Sequence, residues 1–134
     1  MLDYSAVNWL AVIIAAAANL VISTVWYLPQ MFGKQWAAAT GREMNTGGNP
    51  MLYGIAIVGS LISAYVLALL VNATGAASIT EGIVLGLAVS IGFLATTQAV
   101  GGAFEGRSWS LFGINAGNSV VAYAVMGAIL AAMG

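Results

Sequence analysis

The sequence predicts an all-α polytopic membrane protein. Four transmembrane helices form two pseudo-symmetric, parallel-repeat hairpins, with a short interfacial helix in the first loop. Three observations lead there. Charged residues make up 5% of the 134-residue chain and hydrophobic residues 61%, whereas a soluble domain carries about 25% charged residues. A short chain cannot hide that much apolar surface from water, so lipid must cover it. Four apolar stretches are each long enough to cross a hydrocarbon core, which takes roughly 20 helical residues. Finally, motifs at the boundaries of the first two spans return at the boundaries of the last two.

The spans are expected at about 6–28, 50–72, 80–103 and 110–133. Together they form a single transmembrane domain over 1–134, with hairpins at about 6–72 and 80–133. Each is read as a helix because a spanning segment must satisfy its own backbone hydrogen bonds. Runs such as LAVIIAAAANLVI show none of the alternation a membrane β-strand needs. The first span is expected to be retained: Asp3 and no Lys or Arg precedes it, and its apolar run exceeds that of a cleaved leader.

That span ends in WYLPQMFGKQW, residues 26–36, where Pro29 disfavours helix at Leu28. MFGKQWAAATG, at 31–41, suits a short helix along the inner interface, capped by Gly41, and GREMNTGGNP then reads as a polar turn. Asn49 and Pro50 supply an N-cap and a first-turn proline for the second span. Gly75 suits the left-handed residue that ends it. Ser78 and Glu81 have capping-box spacing at the head of the third span.

All the basic residues, Lys34, Arg42 and Arg107, fall after the first or third span. Those two loops share a side, which the positive-inside rule makes cytoplasmic; both termini and the 73–79 loop then face outward. Trp9 and Trp26 bracket the first span at ~25 Å, suiting aromatic belts at both interfaces.

The repeat is read from order as well as composition. GKQW at 33–36 returns as GRSW at 106–109, and LYGI at 52–55 returns as LFGI at 111–114. Phe32 and Phe104 precede the first pair, and Ser60 and Ser119 follow the second in step. The offsets of 73 and 59 residues differ by one insertion in the first loop. Parallel repeats imply a pseudo-twofold axis along the membrane normal.

With the WY-P-FGK-W stretch filled by Trp26, Tyr27, Pro29, Phe32, Gly33, Lys34 and Trp36, and FEGRSW before a last span holding Asn and Gly, the chain resembles a bacterial family. This is domain-of-unknown-function family 1761, a group of small integral membrane proteins. The resemblance runs over nearly the whole chain. It implies a four-span fold in a bacterial inner membrane and assigns no activity.

The missing residue types restrict function. No Cys and no His are present, which removes thiolate nucleophiles, the usual haem and zinc ligands and the usual general base. Serine and threonine hydroxyls remain, with no base near them, so no enzyme, metal or cofactor is expected. A net charge of -1 offers no footprint for nucleic acid.

Two readings of the polar residues stay open. Asn19, Ser23, Gln98, Asn115, Asn118 and Ser119 either bond helices together or line a narrow path for a small solute. At the inner interface, Trp26, Tyr27, Lys34, Trp36, Glu105, Arg107 and Trp109 either anchor the bundle in lipid or contact a partner. The small-residue ridges Gly82-x-x-x-Gly86-x-x-x-Ser90 and Gly113-x-x-x-Gly117 suit close packing within the chain or between copies. These features lead to two functional expectations: a homo-oligomeric channel- or transporter-like protein for a small solute, or an accessory subunit scaffolding a larger membrane complex. Membrane lipids are partners in both.

Overall fold

The computed structural model describes residues 2–41 and 50–134. Arg42, the polar turn after it and the Asn49 cap lie outside these residues. A single 3₁₀ turn at Tyr4–Ala6 precedes five helices: α1 (Trp9–Trp26), α2 (Gly33–Thr40), α3 (Pro50–Thr74), α4 (Ile79–Glu105) and α5 (Trp109–Met133). All but α2 are long and apolar enough to cross a membrane, and no strand occurs among the described residues. The chain is therefore an all-helical integral membrane protein.

Local chemistry explains most boundaries. Asn8 caps α1 by accepting from the Leu10 and Ala11 amides at 3.1 and 3.2 Å. Ser78 caps α4 by accepting from the Glu81 amide at 3.1 Å, and its hydroxyl donates to the Glu81 carboxylate at 3.0 Å. The glutamate thus meets the serine hydroxyl rather than its amide, a variant of the expected box. Gly41, Gly75 and Gly106 close α2, α3 and α4 with φ of 70°, 71° and 73°, a region where any Cβ is strained.

Two asparagines tie one end of the bundle. The Asn8 side-chain amide donates to the Met133 carbonyl at 2.9 Å, and the Asn72 amide donates to the Ala6 carbonyl at 3.1 Å. Both ends of the chain and the turn between α3 and α4 therefore meet at this terminal end. The 106–108 turn and α2 lie at the opposite end, where α2 packs on α5.

The hub is α5, which packs along both α1 and α4. Its seam with α4 is made of glycine: a Cβ on Gly82 would fall on the Gly127 carbonyl, and one on Gly86 on the Tyr123 carbonyl. Backbone meets backbone there, and Gly127 is equally confined by Gly82. The first small-residue ridge is thus spent inside the chain and offers nothing to a neighbouring copy. In the second ridge, Gly117 receives the Trp26 ring while Gly113 faces open space.

The dry core fills the terminal half between α1, α3 and α5. Val12, Ala15, Leu67, Val71, Met126 and Leu130 are all buried there. At the α2 end, by contrast, every residue from 50 to 59 of α3 is exposed. The two helix pairs that a twofold axis would equate are also unequal. Helix α1 runs the length of α5, while α3 meets α4 only sparingly. The physical difference is at the contact points: α1 brings Trp26 and Ser23 to α5, whereas a Cβ on Gly54 or Gly59 of α3 would meet no neighbouring element within 4 Å.

One feature of α4 has no counterpart in the sequence reading. Residues Ser90–Ala95 form a π-helical segment, with the Thr96 hydroxyl donating five residues back to the Ile91 carbonyl at 3.0 Å. In an unbroken α-helix at ~100° per residue, Gln98 would sit ~120° around the axis from Gly86. A wide turn absorbs one extra residue, ~100°, and returns Gln98 to the α5 side.

Candidate functional site

Polar side chains concentrate in the half of the bundle nearer α2. The chain reaches this region through 26–36, and its local geometry follows from Pro29. Helix α1 stops at Trp26; the Phe32 amide then turns back to the Trp26 carbonyl at 3.0 Å and the Gly33 amide to the Leu28 carbonyl at 2.9 Å. A Cβ on Gly33 would collide with the Tyr27 and Leu28 backbone, so only glycine lets α2 start here.

This tight turn directs two aromatics into the bundle. The Trp26 indole N–H donates to the Ile114 carbonyl at 2.9 Å, and its ring packs 4.7 Å from Phe32. The Tyr27 hydroxyl donates to the Asn115 side-chain oxygen at 2.6 Å, with Trp36 edge-on at 6.1 Å. Trp26, Tyr27 and Trp36 thus clasp the foot of α5. Lys34 is exposed, and Trp109 sits at the rim, edge-on to Phe112 at 5.7 Å. Glu105 and Arg107 form an ion pair, each about half exposed at 56% and 55%.

The six polar candidates all engage neighbouring helices. The Asn19 amide donates to Ser60 at 2.7 Å, joining α1 to α3, and the Asn118 amide donates to Ser23 at 3.3 Å, joining α5 to α1. Across the other seam, the Gln98 amide donates to the Ser119 hydroxyl at 3.5 Å, and that hydroxyl donates to the Asn115 carbonyl at 3.2 Å. Asn19 and Ser23 share a broad face of α1 yet serve different helices.

Two acceptors are left over. The side-chain oxygens of Gln98 and Asn118 are buried without a hydrogen-bond partner among the described residues. A buried unpaired acceptor costs on the order of 1–3 kcal/mol, so it calls for an account. Below this layer, Trp36, Ala39 and Thr40 of α2 face Arg107, Leu111 and Asn115 around a pocket of about 380 Å³. Asn115 links the two, bonded to Tyr27 and lining the pocket.

Sequence reasoning missed Ala39, Thr40 and Leu111, whose types carry no chemical signal. It also missed the wide turn that aims Gln98, visible only as a mismatch between Gly86 and Gln98 once both are known to face α5. Set against known proteins, a family model described as protein of unknown function (DUF1761) matches residues 10–131. No curated protein and no solved structure matches the chain.

Proposed function

The chain belongs to the DUF1761 family, whose function is unknown, and on that premise we propose that it is a channel- or transporter-like protein for a small solute. The observation that carries this reading is the division of the bundle along its length. A polar layer with a pocket of about 380 Å³ beneath it occupies the α2 half, and a dry core of Ala, Val, Leu and Met closes the other. Such a bundle admits a solute from one side and holds it short of the seal. The pocket lies at the end that carries Lys34 and Arg107, which the positive-inside rule assigns to the cytoplasm, here of a bacterial inner membrane. No reaction belongs to this role; the hydroxyls of Thr24, Thr74, Ser90 and Ser119 are spent on backbone carbonyls rather than poised beside a base.

Uptake into proteoliposomes tests the role. The intact chain is expected to carry at least one small solute above protein-free vesicles, and Asn115→Leu to abolish that flux while the helical signal is kept. Absence of flux for every small solute tried removes the reading.

A second reading, a structural or accessory subunit that scaffolds a larger membrane complex, draws on the exposed α3 segment. Residues 50–59 are all exposed, with Met51, Ile55 and Val58 at 70%, 63% and 56%. Native mass spectrometry from gently solubilised membranes separates the two. A homo-oligomer favours the transport role, a stoichiometric foreign subunit the scaffold role, and a lone monomer excludes assembly.

A further inference from the structure

Resting on the transport-like reading, we infer the class of solute: small, neutral and a hydrogen-bond donor, received by the side-chain oxygens of Gln98 and Asn118. The polarity of the unused groups carries this. Five donors of the polar layer each reach a protein acceptor: the Trp26 indole, the Tyr27 hydroxyl, and the Asn19, Asn118 and Gln98 amides. The buried atoms left without a partner among the described residues are both carbonyl oxygens.

For Gln98 the orientation is forced. The single hydroxyl proton of Ser119 goes to the Asn115 carbonyl, so Ser119 presents lone pairs to α4. Gln98 must answer with its amide N–H, which leaves its oxygen as the spare group. The π segment is what holds this side chain on the α5 side at all. A surface groove of about 310 Å³ lies alongside, lined by Phe93, Leu94, Thr97 and Gln98.

Charge argues for neutrality. Between their terminal turns the spans hold no Asp, Glu, Lys or Arg, so a charged solute would cross this layer without a counter-ion, at a cost of several kcal/mol. At the mouth Glu105 and Arg107 are paired with each other, and the exposed Lys34 is the other charge among the described residues of that end. Two lone acceptors in such a layer suit an amide or polyol donor. They repel the oxygens of an anion and offer a cation no full charge.

Three planar probes of similar size separate the possibilities: urea, guanidinium and nitrate, each followed into proteoliposomes holding the full chain. Urea is expected to enter about ten-fold faster than into protein-free vesicles, with both ions at the protein-free rate. Gln98→Met, close in shape but without the acceptor, and Asn118→Leu as an independent variant should each lower urea entry about ten-fold with the helical signal retained. Entry of guanidinium or nitrate at or above the urea rate overturns the solute class and leaves the transport reading standing. Urea entry that survives both variants likewise overturns it, and marks these oxygens as bonded only to ordered water. No entry of any probe or other small solute removes the transport reading itself.

Discussion

At Gly117 a Cβ would lie 2.9 Å from the Trp26 ring, so a side chain there must displace the indole or its bond to the Ile114 carbonyl. Gly117→Ala is expected to destabilise the bundle by about 1–3 kcal/mol, the usual cost of overfilling a packed contact. Gly113, one turn earlier, has open space, and Gly113→Ala should be neutral or gain up to about 1 kcal/mol of helix propensity. Thermal unfolding in one detergent, followed by circular dichroism, checks both; equal midpoints for the two variants would sink the clasp. The contrast shows what residue types alone reveal. Both glycines stand in one GxxxG pattern, and only the rotation of α5 against α1 decides which of them is occupied. Trp26 and Tyr27 were legible as residues where a span ends, because Pro29 and the neighbouring Lys34 mark the exit. Their inward direction was not. Interfacial aromatics and clasping aromatics have the same composition, and the difference is set by a turn that Gly33 alone permits.

Among the elements, α4 depends on one surplus residue. Removing Gly92, which has open space around it, should let Ser90–Ala95 revert to regular helix and swing Gln98 ~100° off the α5 face. The chain has no native Cys, so the shift can be read directly. Gln98→Cys with Ser119→Cys should join through a short bismaleimide in the parent chain and fail to join once Gly92 is deleted. Joining in both would mean that the wide turn does not set the register. Helix ends were legible wherever a cap is local: Ser78, Gly75 and Gly41 act on amides and carbonyls a few residues away. The π segment was not legible, because its reason lies in α5. Gly82 and Gly86 must meet Gly127 and Tyr123 while Gln98 meets Ser119, and one straight helix cannot satisfy both.

For the whole molecule, span number and order were legible from hydropathy, since lipid demands long apolar helices and little else. Packing was not. Composition treats four spans alike, while the fold gathers α1 and α4 on α5 and leaves residues 50–59 of α3 exposed. Orientation can be tested at this scale. With an impermeant maleimide added to intact cells, Ala76→Cys should be labelled and Ser108→Cys should not; the reverse pattern would invert the topology and put the pocket outside. The central place of α5 also bears on how the chain is made. It follows the other spans out of the ribosome, and until it inserts, Gly82 and Gly86 have no backbone to lie on. Helices α1 and α3 can pair beforehand through Asn19 and Ser60. A nascent chain stalled before Trp109 is therefore one loose pair plus an unpacked α4, with the glycine seam still open to association with other chains.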